Sequence, residues 1–306
     1  MSYAILGVRI FFVISGYLIT TLLLQEQAKT GTISLRDFYV RRAYRILPAA
    51  TAFLIPALII SRHELTWYHA AAAVLYLSDF DPTRPRFLGH LWSLSVEEQF
   101  YLLWPSVLKR WYGHRVGILL GVVAIAPLYQ LVGYALQLHV AQTFFAVADN
   151  LAIGCLLAIF APRIPQIRKW LGLAMIAPVL LVPLCLAVSR TRTLILLFVL
   201  WPLMYVSIAG VLLHVVQTPS RLLNLGPVVW LGKISYSLYL WQQVFVFGPG
   251  PRPAYLIIPA VGMACLSYYL VERPMLRLRE KRGAKKRGER LLNAREEDAG
   301  AAVKIA

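Results

Sequence analysis

The segment LWSLSVEEQFYLLWP, residues 91–105, carries two adjacent carboxylates in an apolar run. If it is helical, one face collects residues spaced i, i+3, i+7, i+11 and i+14: His90, Ser93, Glu97, Tyr101 and Trp104. An ionisable group inside a membrane helix costs about 2.5–3.5 kcal/mol on insertion scales, and therefore marks a candidate functional site. A desolvated glutamate can act as a base or hold a histidine in its basic tautomer. We predict Glu97, His90 and Glu98 as catalytic candidates; the alternative is that both glutamates are hydrated at the interface or paired with an arginine.

The composition indicates a membrane protein. The chain has 306 residues, of which 59% are hydrophobic, whereas soluble domains are about 45–50% apolar. Long apolar runs recur to about residue 272. Because a helix satisfies its own backbone hydrogen bonds in lipid, we predict an all-α, polytopic transmembrane bundle. There is no two-residue alternation of the kind that is typical of a β-barrel.

Nine apolar segments have the length that a bilayer requires. We predict spans near residues 4–25, 46–62, 94–110, 116–137, 141–161, 170–189, 193–214, 228–248 and 254–272. The shorter stretch 66–80 is interpreted as interfacial or re-entrant. If it crossed, the basic loop at residues 109–115 would lie outside, against the positive-inside rule.

The net charge of +17 is concentrated in short loops and in the tail, as the positive-inside rule expects of a membrane protein. This distribution predicts an outer N-terminus and a cytoplasmic C-terminus, with no nucleic-acid partner. Residues 1–276 form the predicted transmembrane domain. Residues 277–306 form a charged cytoplasmic tail that we expect to be disordered and close to anionic lipid.

The segment FYVRRAYRILP, residues 38–48, carries three arginines, Arg41, Arg42 and Arg45. We expect them in a cytoplasmic loop just before the second span. Guanidinium groups bind phosphate bidentately, so a phosphate-binding role is one reading. A topology anchor that touches lipid phosphates is the other.

Two late segments are unusually polar. In LGKISYSLYLWQQ, residues 231–243, a single predicted helix face holds Ser235, Tyr239 and Gln242, and it should line a cavity or pack on another helix. In SYYLVERP, residues 267–274, Glu272 and Arg273 are expected to form an interfacial ion pair.

Asp149 lies in the middle of a predicted span, in AVADNLAIGCLLA. It is a second buried-acid candidate, and a helix kink or an interhelical hydrogen bond is the alternative. The three cysteines, Cys155, Cys185 and Cys265, fall in apolar runs without the spacing of a disulfide or metal site. We therefore expect no metal.

Taken together, six segments resemble the membrane acyltransferase-3 family, bacterial enzymes that O-acylate surface polysaccharides and other envelope glycans. They occur in the family's order and cover most of the chain: LGVRIFFVISGYLIT (6–20), FYVRRAYRILP (38–48), HLWSLSVEEQFYLLWP (90–105), DNLAIGCLLA (149–158), LGKISYSLYLW (231–241) and YYLVERP (268–274).

The resemblance implies transfer of an acyl group, commonly acetyl, from cytoplasmic acyl-CoA to a hydroxyl of a glycan or similar acceptor at the bacterial inner membrane. It implies no bound cofactor. Arg41, Arg42 and Arg45 match the family's cluster for the donor, and Trp92, Ser93 and Glu97 match its Trp-Ser-Leu…Glu signature. The residues expected to line the cavity are Ser15, Trp92, Ser93, Tyr101, Asp149, Ser235, Tyr239 and Gln242.

Three departures from the family pattern accompany the resemblance. Family members usually carry one further span, ending in a histidine, before the first matched segment, and we expect this chain to begin after it. Arg9 stands where an acid is usual, and we expect it near the outer interface or paired with an acid such as Glu97. Trp241-Gln242 stands where the family has Trp-His.

Two other function classes remain open. A glycan or lipid transporter would use buried polar residues as a pathway, although it would more often show internal repeats. A non-catalytic family member could act as a membrane partner, and the absent histidine favours that reading.

Overall fold

The computed structural model describes residues 2–166, 175–177, 179, 193–218, 220–246 and 253–283. Within these ranges the chain is helical and contains no strand. The helices are α1 (Ser2–Thr30), α2 (Leu35–Ile60), α3 (Trp67–Val74), α4 (Leu91–Arg110), α5 (Arg115–Ala135), α6 (Phe144–Phe160), α7 (Trp201–Gln217), α8 (Gly226–Phe245) and α9 (Ile257–Ser267). Short π-helical segments, Leu196–Leu200 and Tyr268–Glu272, precede α7 and follow α9.

The helices form two compact units. The first unit comprises residues 1–35 and 61–229, and the second comprises residues 36–60 and 230–306. The N-terminal match and the signature around Glu97 therefore belong to the first unit. The arginine-rich start of α2 and the two late polar segments belong to the second.

The core of the first unit is the packing of α1 against α6. A Cβ at Gly16 of α1 would overlap the carbonyl oxygen of Leu151, and a Cβ at Gly154 of α6 would overlap that of Val13. Small residues at a helix crossing let two backbones approach closely, and van der Waals packing then stabilises the pair in lipid. These two glycines fix how α1 lies on α6.

Helices α1 and α4 run in the same direction. The Phe12 and Trp92 ring centroids are 6.1 Å apart, Ser15 bonds Glu97, and Trp104 Nε1 donates to Thr20 Oγ1 at 2.8 Å. Residues later in α1 contact residues later in α4, which is the pattern of two parallel helices. If both helices cross the bilayer, the chain between them crosses an odd number of times.

Five helical segments of the described chain are long and apolar enough to cross a membrane: Leu6–Thr30, Leu35–Ile60, Tyr112–Ala135, Phe144–Arg163 and Leu196–Gln217. Nine spans are therefore not confirmed. Helices α4 and α8 are each 20 residues long, but their polar residues lower their hydropathy. Helix α9 has 11 residues before its π-helical segment, and the predicted span 170–189 falls almost wholly outside the described residues.

The prediction of a basic loop before a span starting at 46 is wrong, because α2 begins at Leu35. Ser34 precedes the helix and Asp37 lies three residues later, a pattern that favours a helix start. The arginines consequently lie on the first turns of a 26-residue helix. Before it, α1 ends where Gly31 takes a φ of 73°, a conformation that closes helices.

The stretch 66–80 contains α3, which has eight residues and spans about 12 Å. This is shorter than the hydrocarbon core of about 30 Å, so α3 is too short to cross by itself. Thr66 and His69 cap it reciprocally: His69 N donates to Thr66 Oγ1, and Thr66 N donates to His69 Nδ1. Its position relative to the bilayer stays a prediction.

In the second unit, α8 packs between α2 and the last helix. The rings of Phe53 on α2 and Trp241 on α8 meet edge to face, 5.5 Å between centroids. On the other side, Trp230 Nε1 donates to the Tyr269 hydroxyl at 3.1 Å. The chain stays helical from the π segment to residue 283, so the predicted disordered tail is helical over residues 277–283; residues 284–306 lie outside the described chain.

Candidate active site

Glu97 is the buried centre of a hydrogen-bonded group in the first unit. Its side chain is 5% exposed. Ser15 Oγ donates to Glu97 Oε1 at 2.7 Å, and the Tyr101 hydroxyl donates to Ser15 Oγ at 3.1 Å. The result is a chain of hydroxyls that ends on a carboxylate, which is an arrangement able to hold or accept a proton.

The predicted face of α4 surrounds this group. His90, at the position before the helix, is buried, and Ser93 Oγ donates to the His90 carbonyl at 3.1 Å. Ser93 and Trp104 are buried, whereas Trp92 is half-buried. The face identified from spacing alone is therefore a buried face, and its contacts lead to α1.

Glu98 differs from Glu97 because it is half-buried and lies towards the loop after α3. Burial and, second, the Glu98 charge raise the pKa of Tyr76 in that loop to about 12. The two adjacent carboxylates thus have different surroundings. Glu97 accepts a hydrogen bond from a neighbouring helix, whereas the charge of Glu98 contributes to the raised pKa of Tyr76 in the loop.

The same loop is tied to α4 by buried polar contacts. Gln99 Nε2 donates to Asp79 Oδ1 at 2.7 Å, the Phe144 N–H donates to Asp79 Oδ2 at 3.0 Å, and the Ser78 N–H donates to Ser95 Oγ at 3.1 Å. Burial raises the pKa of Asp79, while the hydrogen bonds from Phe144 and Gln99 and the charge of Arg84 counteract the shift. The contacts fix the start of α4, and with it the position of Glu97.

Arg9 occupies a buried site between α1, α6 and α7. Its guanidinium lies 3.7 Å from the Trp201 ring centroid, and Nη1 donates to the Tyr205 hydroxyl. It attracts Asp149 electrostatically. Arg9 is 7% exposed, and the acid that attracts it is Asp149. The Asp149 carboxylate also accepts a hydrogen bond from the Asn150 N–H at 2.9 Å. A location of Arg9 near the outer interface stays a prediction.

In the second unit, the three predicted arginines lie on one stretch of α2. Arg41 and Arg45 are exposed, and Arg42 is half-buried. Arg45 is attracted to Glu272, which is 3% exposed and accepts a hydrogen bond from Ser237 Oγ.

The predicted ion pair between Glu272 and Arg273 is wrong. The side chain of Arg273 lies over the Tyr269 ring, 5.6 Å from its centroid, while Glu272 is attracted to Arg45. The two neighbours diverge because adjacent residues of a helix are about 100° apart around its axis.

The packed face of α8 is not the predicted one. Its buried residues are Ile234, Ser237, Leu240 and Gln243. Tyr239 and Gln242 are half-buried. Ser235 is exposed and donates to the carbonyl of Gly232 in its own helix at 2.9 Å, so helix packing does not explain it and a cavity role stays a prediction.

Among the described residues, no group of three or more His, Cys, Asp or Glu is placed to hold a metal ion. Cys155 is buried and Cys265 half-buried, both as free thiols. Cys185 lies outside the described residues.

Comparison with known proteins identifies the chain's family. A family model described as an acyltransferase domain, of the acyltransferase-3 type, matches residues 4–271. The chain belongs to the acyltransferase-3 family. The match takes in the segments that hold Ser15, Glu97, Asp149 and the three arginines.

Curated relatives of this acyltransferase domain carry O-acetyltransferase names. O-acetyltransferase OatA of Staphylococcus aureus, strain NCTC 8325, is 30% identical over 331 residues, which cover 90% of this chain and 53% of the relative. OatA of strain COL has the same figures. A candidate O-acetyltransferase of strain N315 is 28% identical over 88% of this chain and 52% of its own length.

The chain therefore spans about half the length of the curated relatives it matches. No solved structure matches it.

Several residues of this acyltransferase domain were missed by sequence reasoning. Thr20, Gln99 and Asp79 support α4, but polar residues of this kind are common and their partners are distant in the chain. Ser237 and Ser267, whose hydroxyl oxygens are 3.0 Å apart, lie on the packed face of α8. A serine at the centre of a polar helix could have indicated this contact.

Proposed function

We propose that this protein is a membrane O-acyltransferase that moves an acyl group from acyl-CoA to a hydroxyl of an envelope glycan or a similar acceptor. The observation that carries the proposal is the buried Ser15–Glu97–Tyr101 group within segments matched by the family. The names of the relatives favour acetyl as the acyl group.

Glu97 is the proposed general base. Its carboxylate accepts the proton of the acceptor hydroxyl, and the acceptor oxygen attacks the thioester carbonyl. Donors on the same face stabilise the negative charge on the carbonyl oxygen. The C–S bond breaks, the proton passes to the leaving thiolate, and the products are the O-acyl ester and CoA.

The surrounding residues have supporting roles in this proposal. Ser15 and Tyr101 orient the Glu97 carboxylate, and His90 contacts the acceptor from the N-terminal end of the same face. Trp92 and Ser93 line the site near Phe12. Glu98 is the weaker candidate, since it is half-buried and its charge acts on Tyr76 in the loop after α3.

The donor site is proposed on α2. Arg41, Arg42 and Arg45 lie within five residues of one helix, and guanidinium groups suit the phosphates of CoA. Asp149, Ser235, Tyr239 and Gln242 remain proposed cavity residues. We place the protein in the bacterial inner membrane, with its C-terminus cytoplasmic.

The test is thiol release from acetyl-CoA by the purified protein in detergent, with a panel of saccharide acceptors and analysis of the O-acetyl product. Wild type is expected to release CoA in proportion to the ester formed. Glu97→Gln preserves shape and removes basicity, and is expected to abolish turnover, a loss of at least about 10²-fold for a general base.

Glu98→Gln is the matched control, because it changes the adjacent carboxylate in the same way. It should retain most of the activity. Full turnover by Glu97→Gln would show that this carboxylate has a structural role and is not the general base. Absence of thioester consumption by wild type with every acceptor would favour the non-catalytic partner instead.

A further inference from the structure

The last helix carries a basic extension that reaches α2 within the second unit. From Arg273 to residue 283 the chain has five basic residues and one acidic residue, Glu280. Arg279 lies 4.0 Å from Glu280. The extension is therefore strongly cationic, and part of it faces a helix that is already rich in arginine.

The contact itself is made by Arg282. Its Nη1 donates to the Tyr44 hydroxyl, and its guanidinium carbon lies 6.0 Å from the Tyr44 ring centroid. Tyr44 follows Arg41 by three residues and directly precedes Arg45. A residue 238 positions away in the chain is thus held at the arginine-rich turns of α2.

The chemistry of this contact leaves the positive charge in place. A tyrosine hydroxyl is neutral near pH 7, whereas a guanidinium has five N–H donors and remains charged. The Tyr44 hydroxyl occupies one donor and orients the others. Glu272 attracts Arg45, and the high density of guanidiniums on the two helices produces a positive potential that favours an anion.

We propose that Arg282 is a fourth arginine of the anion site on α2, and that the site takes the phosphate groups of the CoA donor. The inference rests on the proposed function. Arg282 binds phosphate from the C-terminal helix while Arg41, Arg42 and Arg45 bind it from α2, and the contact with Tyr44 holds Arg282 at the arginine-rich turns of α2. A lipid headgroup offers the same phosphate chemistry and is the competing source.

The test compares Arg282→Gln with Arg277→Gln by calorimetric titration of CoA into the 306-residue protein in phospholipid-free detergent. Both changes remove one charge from the same helix, at positions about 140° apart around its axis. Arg282→Gln should weaken CoA affinity about tenfold, the value of one charge-assisted hydrogen bond. Arg277→Gln should leave the affinity within about twofold of wild type, since a distant exposed charge is screened.

A second arm measures binding of the same variants to vesicles with and without phosphatidylglycerol. If Arg282→Gln keeps wild-type CoA affinity but loses binding to the anionic vesicles, the phosphate belongs to lipid and the proposal is overturned. An equal loss of CoA affinity in both variants overturns it as well, because the effect is then one of net charge.

Arg45→Gln separates this inference from the proposed function. Weaker CoA binding by Arg45→Gln together with unchanged binding by Arg282→Gln removes Arg282 from the site and leaves the donor site on α2 intact. Absence of CoA binding by wild type overturns the donor site and the role of Arg282 together. Tyr44→Phe should lose part of the affinity lost by Arg282→Gln, since it removes only the orienting hydroxyl.

Discussion

Gly16 of α1 lies so close to Leu151 of α6 that the Leu151 carbonyl oxygen occupies the place of a Cβ at position 16. Gly154 makes the reciprocal approach to Val13. The crossing of these helices holds Ser15, next to Gly16, in the position from which it donates to Glu97.

Gly16→Ala should therefore destabilise the protein. The added methyl group meets backbone that cannot move aside without shifting a helix, and overpacking of this kind costs about 1–3 kcal/mol. Thermal unfolding in detergent, followed by tryptophan fluorescence, measures the effect. Gly121→Ala on α5 is the control, because nothing lies within 4 Å of its added Cβ; equal stability of the two variants would contradict tight packing at Gly16.

The buried charges of Arg9 and Asp149 should be coupled. Removing one member of a buried pair leaves the other uncompensated, at a cost of about 3–5 kcal/mol for a close pair. The Arg9→Gln and Asp149→Asn variants should each be destabilised, and the double variant should be less destabilised than their sum. A double-mutant cycle of unfolding free energies in detergent gives the coupling energy. If the two single-variant losses add up to the loss in the double variant, the two charges do not interact and the prediction is wrong.

Ser15→Ala should lower kcat for acyl transfer more than it changes the KM for acyl-CoA. The hydroxyl orients the proposed base but does not touch the donor phosphates, and a misplaced base slows the chemical step. We expect a loss of about tenfold, with Tyr101→Phe milder because it acts through Ser15. Initial rates over a range of acetyl-CoA concentrations separate the constants, and a change confined to KM would place Ser15 in substrate binding instead.

Asp79 should make stability fall as pH rises. Burial raises its pKa, so between its ordinary pKa of about 3.9 and the raised value the folded state holds more protons than the unfolded state. The stabilisation is complete below the ordinary pKa and is lost as pH rises through the raised one. Unfolding free energies over this range, compared with Asp79→Asn, test the sign; a slope that persists in Asp79→Asn belongs to another group.

The segment before α4 should be accessible from outside the cell. The parallel course of α1 and α4 requires an odd number of crossings between them if both span, and α2 supplies one. Arg86→Cys, in a background without native cysteines, should react with an impermeant maleimide added to intact cells. Arg277→Cys should react only after permeabilisation, and the reverse pattern at these two positions would invert the topology.

Much of the first unit's site could be predicted from periodicity. The spacing of Ser93, Glu97 and Tyr101 identified one buried face of α4 because a helix repeats every 3.6 residues. Ser15 was identified only through the family pattern. Its contact with Glu97 joins positions 82 residues apart, and no local pattern encodes such a pairing.

The predictions that failed concern segments whose local sequence pattern is compatible with two different structures. The arginines were assigned to a loop because charges were assumed to end the helix. A helix can be longer than the hydrocarbon layer is thick, and α2, with 26 residues from Leu35, is about 39 Å long against a layer of about 30 Å. On α8, both polar faces fit the helical period, and only the contact of Ser237 with Ser267 and Glu272 decides which one packs. Arg9 was expected near the outer interface or beside an acid such as Glu97, because a charge inside a span is costly. In the structure its partners lie on α6 and α7.

The π-helical segment Tyr268–Glu272 has a consequence for everything that follows it. Because a π turn closes on i+5 rather than i+4, it accommodates one residue more than an α turn, and this advances the angular phase of the remaining helix by about 100°. Deleting one residue from 268–271 and restoring regular α-helix would rotate Arg282 away from Tyr44 and turn a different edge of the basic extension towards α2. The π turn, with its one extra residue, thus determines which face of the basic extension meets α2.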